Sequence, residues 1–189
     1  GQQPQGWLAV MNSSVASNVI EVDGYGEGSA AQLLATEIPG VGVMSPVLMS
    51  NFFNVDQKYG KLKGYLKAAP QGNDTLFMIV GMYSGNDDLL GAGVAFFKEG
   101  ISEFTEFSIN IFYEGDDTPE QCLITFTAGK SDGIATEGSA FVIDELSLSE
   151  LASINEVSPV FAEVGDVYPS PATRNITIPF ELKKTMDVS

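Results

Sequence analysis

Apolar and polar residues alternate with period two along most of the 189-residue chain, and helix-length stretches with 3.6-residue spacing are missing. Successive side chains of a strand point to opposite faces, so this alternation describes surfaces dry on one side and wet on the other. It predicts nine strands: Trp7–Val10, Val19–Val22, Ala31–Ile38, Lys61–Ala68, Thr75–Tyr83, Gly91–Phe97, Phe104–Ile111, Gln121–Ala128 and Ala140–Leu148. Between them stand clusters with turn chemistry: DGYGEGS at 23–29, PQGND at 70–74, SGNDD at 84–88, EGDDTPE at 114–120 and GKSDG at 129–133. Many short strands with Gly, Asn and Asp between them predict an all-β fold, an antiparallel two-sheet β-sandwich of the jelly-roll type. Pro39–Gly60 lacks clean alternation and is expected to be a long loop over one sheet. After Leu148 the pattern dissolves, which divides the chain into a sandwich over 1–150, a linker over 151–165 and a C-terminal piece over 166–189.

Three strands carry candidate chemistry. In LKGYLK, Leu62, Gly64 and Leu66 fall on one face and Lys61, Lys63, Tyr65 and Lys67 on the other. Tyr65 would offer a stacking surface, with Lys63 and Lys67 as donors to hydroxyls or uronate carboxylates, the mixture a carbohydrate site uses. The alternative is that Tyr65 packs on a cross-strand neighbour while the lysines keep an edge soluble. Thr75–Tyr83 is apolar on both faces and reads as a central strand covered on both sides; a 39–60 loop over it would bring Phe52 and Phe53 to Tyr83 at a cleft, whereas core packing needs no cleft. In AFVIDELSL, Asp144 shares a face with Val142, Leu146 and Leu148, so its carboxylate needs a cation or several backbone donors.

Charge narrows the partners. With 25 acidic and 9 basic residues the net charge is −16, which repels phosphate backbones and anionic lipid. Nucleic acid is excluded as a partner, and no apolar run is long enough for a membrane-spanning helix. Yet Lys58, Lys61, Lys63 and Lys67 lie within ten residues, a local basic stripe. The absence of histidine removes His-based nucleophilic mechanisms and leaves oxygen ligands, hence calcium or magnesium, for any metal. Cys122 alternates with Ile124 and Phe126 and reads as a small core hydrophobe. The paired acids Asp87–Asp88 and Asp116–Asp117 lack the register of a calcium loop and read as solvated turns.

Two resemblances add to this reading. Gly6–Trp7, EGSAAQLLAT at 27–36, LKGYLKAAPQGND at 62–74 and FVIDELSLSE at 141–150 stand in the order found in PCMD-like jelly-roll domains of Bacteroidota, named for a carbohydrate-metabolism role. That resemblance implies an exported, carbohydrate-binding-module-like domain. Jelly-roll modules with a matching closing strand often hold a structural calcium, which nominates Asp144 with Glu27, Gly28 and Ser29 as ligands. The second lies in VYPSPATRNITIPF at 167–180, where Tyr168, Pro169, Pro171 and Ala172 precede alternating Ile176, Ile178 and Phe180. This resembles the start of the type IX secretion system C-terminal sorting domain, with Ser170 where that family usually has Asn. It ends partway through the family's own sandwich and implies a truncated sorting domain, hence secretion from a Gram-negative bacterium or attachment to its outer surface.

The sequence therefore points to an exported, non-catalytic sandwich that binds glycan through Tyr65, Lys63, Lys67 and Tyr83, or serves as an accessory surface domain. A hydrolase or lyase using paired carboxylates or Tyr and Lys is one alternative, and a structural or adhesion module is the other.

Overall fold

The computed structural model describes residues 6–9, 18–130 and 133–150, together with the backbone of 162–164 and 180–182. The chain divides into two compact units, Gly1–Leu151 and Ala152–Ser189. Among the described residues every regular element is a strand, and all pairings are antiparallel.

The first unit is built from two main sheets. In the larger, β1 (Trp7–Ala9), β6 (Val47–Ser50), β13 (Gln121–Gly129), β9 (Thr75–Tyr83), β10 (Leu89–Phe97) and β12 (Phe112–Tyr113) lie side by side, and β7 (Phe53–Asn54) also pairs with β13. The smaller runs β11 (Ile101–Asn110), β8 (Tyr59–Ala69), β14 (Ala140–Glu150), β3 (Ser29–Leu34) and β2 (Val19–Asp23). A hairpin of β4 (Thr36–Ile38) and β5 (Gly42–Met44) stands apart. In the second unit β15 (Ala162–Val164) pairs with β16 (Phe180–Leu182). The motif 168–172, Ile176 and Ile178 lie outside the described residues.

Alternation decides what each sheet buries. Leu76, Met78, Val80 and Met82 of β9 and Cys122, Ile124 and Phe126 of β13 meet Leu62 and Leu66 of β8 and Phe141 and Ile143 of β14 in one core. Each large apolar side chain sealed there contributes roughly 1.5–3 kcal/mol relative to exposure. The sheets come so close at Gly93 that a Cβ would stand 2.5 Å from the Asn110 carbonyl oxygen, which is why that inward position holds glycine. At the other side of β10, Tyr113 of β12 joins the sheets. Its hydroxyl donates to the Tyr59 carbonyl and accepts from the Tyr59 amide, both at 3.0 Å, and burial pushes its pKa up.

Three expectations need correction. The segment expected as a loop, 39–60, supplies β5, β6 and β7, and β6 fills the larger sheet between β1 and β13. Its irregular pattern reflects two-residue to four-residue strands too short to show a period. The strand expected over 31–38 breaks at Ala35, whose amide donates to Ser139 O while its own carbonyl accepts from Gly138, so the backbone leaves one sheet for the separate hairpin. Asp144 does not share a face with Leu146 and Leu148. The register passes from Asp144 opposite Tyr65 to Ser147 opposite Lys63, one residue too many on β14, and Glu145 takes φ 51° in this bulge. The extra residue turns Leu146 and Leu148 inward and leaves Asp144 on the outer face.

Candidate functional site

The outer face of the smaller sheet carries the predicted β8 residues. Leu62, Gly64, Leu66 and Ala68 are buried, so Lys61, Lys63, Tyr65 and Lys67 point outward as the alternation required. Register sets their neighbours. Tyr65 stands between Glu106 of β11 and Asp144 of β14, Lys63 between Ser108 and Ser147, and Lys61 between Asn110 and Ser149.

What alternation could not show is the ring lying on Tyr65. Tyr25, from the turn 23–29, stacks on it with centroids 3.8 Å apart and planes 12° from parallel. Phe104 of β11 meets Tyr25 edge to face at 5.9 Å, and the Lys67 ammonium sits 4.3 Å from the centre of the Phe104 ring. The exposed platform is therefore Tyr25, and Tyr65 is its support. The Tyr25 hydroxyl beside it raises the Tyr65 pKa above its ordinary 10.0, with smaller contributions from desolvation, Glu106 and Glu145.

Asp144 holds this platform in place. Its Oδ2 accepts the Tyr25 amide at 2.7 Å and its Oδ1 accepts the Glu145 amide at 2.8 Å. Gly24 is required beside it, because a Cβ there would approach Asp144 Oδ2 to 2.6 Å and the Gly28 carbonyl to 3.1 Å. The turn is closed by the Gly24 amide donating to the Gly28 carbonyl at 2.9 Å, while Ser29 Oγ donates to Glu21. Of the residues nominated for calcium, Asp144, Gly28 and Ser29 use oxygens within the turn. Calcium takes six to eight oxygen ligands; among the described residues no group of three or more acidic or cysteine side chains is arranged to hold a metal. The placement fits the amide-accepting role of Asp144.

Tyr83 belongs to the other side of the sandwich. It lies on the outer face of the larger sheet, with Phe52 edge-on at 5.3 Å and its own ring over Gly81. It cannot join Tyr65, Lys63 and Lys67 in one site. Around it, register brings Phe77 opposite Phe96, Ile79 opposite Val94 and Ala92 opposite Phe112, with Leu123, Thr125 and Thr127 alongside. Phe96, Val94 and Phe112 are exposed. Lys58, counted in the basic stripe, also stands apart: its Nζ donates to Gly115 O at 2.9 Å and lies 5.5 Å from the Tyr113 ring centre.

A cavity of about 500 Å³ opens between the sheets, lined by Trp7, Leu48 and Phe126 and by Glu21, Ser29 and Asp144. Of its polar side chains, Glu21 and Ser29 bond each other and Asp144 accepts the Tyr25 and Glu145 amides; Glu145 also lines it. Asp74, placed in a turn by its sequence, is only 1% exposed and accepts from Thr136 N at 2.6 Å, Thr136 Oγ1 at 3.1 Å and Ser139 Oγ at 2.6 Å. It ties the β8–β9 turn to the segment before β14 and has no solvent access.

No family model and no curated protein matches the chain. Solved structures do. A candidate glycoside hydrolase from Bacteroides thetaiotaomicron superposes with a TM-score of 0.58 at 13% identity, over 75% of this chain and 59% of that one. A second, from Bacteroides vulgatus, has a TM-score of 0.58 at 13% identity over 70% of this chain and 77% of that one. The chain has the jelly-roll β-sandwich fold. A family 11 carbohydrate-binding module of a Clostridium thermocellum cellulase is similar at a TM-score of 0.47 and 15% identity, over 79% and 90% of the two chains. The chain spans somewhat more than half the length of the first of these structures.

Two site residues were missed by sequence reasoning. Tyr25 was read only as part of a glycine-rich turn, although an aromatic ring flanked by glycines at 24 and 26 is itself a signal of a ring held out from a turn. Phe104 sits where the β11–β8 register shifts between Ile101 and Thr105, so its face was not fixed by counting.

Proposed function

We propose that the protein is an exported, non-catalytic glycan-binding domain of the PCMD-like jelly-roll type, and that the sugar is recognised on the outer face of the smaller sheet. The observation that carries this is the stacked pair Tyr25–Tyr65 with Phe104 and Lys67 at its edge. A broad apolar ring surface bordered by ammonium, hydroxyl and amide groups supplies stacking to a sugar's C–H face and hydrogen bonds to its hydroxyls. The likeness in fold to candidate glycoside hydrolases supports a polysaccharide setting by analogy.

The engagement of Asp144 supports binding over hydrolysis. Glycoside cleavage needs two carboxyl groups facing one bond, one of them free to deliver a proton. Across Tyr65 from Glu106, Asp144 is taken up by two backbone amides, which leaves it poorly placed to deliver a proton. Export and surface attachment rest on the likeness of 167–180 to the sorting domain.

A glycan array tests the reading. Tyr25→Ala is expected to weaken binding of the glycans recognised by the parent protein about five- to thirtyfold, since an aromatic platform of this kind contributes on the order of 1–2 kcal/mol. If the parent protein binds no glycan at millimolar concentration, the reading falls. The exposed apolar face around Phe96 and Phe112 favours the second reading, an adhesion module; a loss of self-association in Phe96→Ser with no glycan bound would select it.

A further inference from the structure

The lysines beside the platform are without charged partners. Among the described residues neither Lys61 nor Lys63 makes an ion pair, a hydrogen bond or a ring contact, on a chain with 25 acidic residues. Register sets Asn110 and Ser149 beside Lys61, and Ser108 and Ser147 beside Lys63, all hydrogen-bonding but neutral. Glu106 and Asp144 sit in the next row at Tyr65, where Asp144 is engaged with Tyr25 and Glu145, and the exposed Glu145 stands in the bulge between the two rows without an ion pair to either lysine.

Same-face residues of a strand are about 6.8 Å apart, so Lys61, Lys63, Tyr65 and Lys67 form a line about 20 Å long. A polysaccharide chain laid along β8 would cross the aromatic platform at one end and two unpaired ammonium groups at the other. The long-range field of the protein opposes anions, but screening limits that field to about 8 Å at physiological salt, whereas a ligand group in the row touches the lysines directly.

Resting on the glycan-binding reading above, we infer that this face selects glycans bearing carboxylate or sulfate groups, with Lys61 and Lys63 as the residues that read the charge and Tyr25 as the residue that reads the ring. The neutral flanking Ser and Asn side chains serve the same end: they can bond sugar hydroxyls without neutralising the ammonium groups.

The test compares ligands that differ only in charge. The 189-residue chain is titrated with polygalacturonate and its fully methyl-esterified form, and with dextran sulfate and dextran. At least one charged form is expected to bind about five- to tenfold more tightly than its neutral partner, and which one does so tells carboxylate from sulfate. In the double variant Lys61→Gln/Lys63→Gln the ratio of charged-form to neutral-form affinity is expected to fall to about one. Circular dichroism of the variant should match the parent, since Lys61 is exposed and Lys63 is half-buried on the outer face. Equal binding of charged and neutral forms by the parent protein, or a preference that survives the double variant, overturns the inference and leaves the platform reading intact. Inorganic polyphosphate bound as tightly as the charged glycans also overturns it, by showing a generic anion site. If none of the four polymers binds and the array is also empty, the glycan reading itself has failed and the inference falls with it.

Discussion

Replacing Asp144 with Ala should loosen the platform and, through it, the site. The carboxylate accepts two backbone amides, Tyr25 at 2.7 Å and Glu145 at 2.8 Å, and both bonds are to a charged acceptor. Such bonds contribute about 1.5–3 kcal/mol each when buried, but here the amides can rehydrate at a half-exposed position, so about 1 kcal/mol each is the appropriate figure. The expected loss is about 2 kcal/mol in urea denaturation, seen as a lower midpoint at an unchanged slope. Asp144→Asn keeps one acceptor oxygen and should lose about half as much. If the binding-competent turn must then be reordered by the ligand, up to the same 2 kcal/mol appears as an affinity loss of about tenfold to thirtyfold. Coupling decides whether the route is correct. Asp144 acts on the ligand only through the turn that carries Tyr25, so in a Tyr25→Ala background the Asp144→Ala change should cost stability but no further affinity. An Asp144→Ala variant that loses less than about 0.5 kcal/mol, or affinity losses that simply add in the double variant, would refute the reasoning.

Asp74→Ala leaves Thr136 N, Thr136 Oγ1 and Ser139 Oγ facing an apolar methyl at a site 1% exposed, and should cost about 3–5 kcal/mol in urea denaturation, with Asp74→Asn costing less; a loss under about 1 kcal/mol would contradict the role assigned to it. Burial pushes the Cys122 thiol up to about 12, so Ellman's reagent at pH 8 should leave the folded protein unlabelled and titrate one thiol in denaturant; prompt labelling of the native state would be inconsistent with that burial. Because Tyr65 has its pKa raised in the folded state, the protonated form is favoured by folding: this contribution is fully present below pH 10 and is lost as pH rises through the folded pKa. Absorbance titration at 295 nm should show Tyr65 ionising at lower pH in Tyr25→Phe than in the parent, and an unchanged curve would count against the Tyr25 hydroxyl as the main cause. With the Gly28 carbonyl, Ser29 Oγ and the Asp144 carboxylate engaged in hydrogen bonds, EDTA or added calcium chloride should leave the melting temperature unchanged, whereas a calcium-dependent rise would place an ion in this loop.

The strands of the sandwich and their buried faces were legible because alternation is a local property. Leu62, Gly64 and Leu66 face the core and Lys61, Lys63, Tyr65 and Lys67 face solvent as counting by two requires. Cys122 is buried with Ile124 and Phe126 for the same reason. Counting fails where the chain adds a residue. At Glu145 the bulge reverses the phase of β14, and no composition rule marks a Glu for positive φ, so the outward turn of Asp144 could not be read from AFVIDELSL. Short strands such as β6 also escape, since two turns of a period-two pattern in four residues are indistinguishable from chance.

The sequence alone, then, determined the class of fold and which side of β8 meets water, because side-chain direction within a strand depends only on position along it. Which rings and charges meet across strands was decided by tertiary structure. Tyr25 reaches Tyr65 over 40 positions of chain, Asp144 fastens a turn 119 residues away, and Tyr83 falls on the opposite side of the sandwich from the lysines it was expected to join. Sheet order and register bring about those meetings, and both follow from the packing of the whole core rather than from any one stretch of chain.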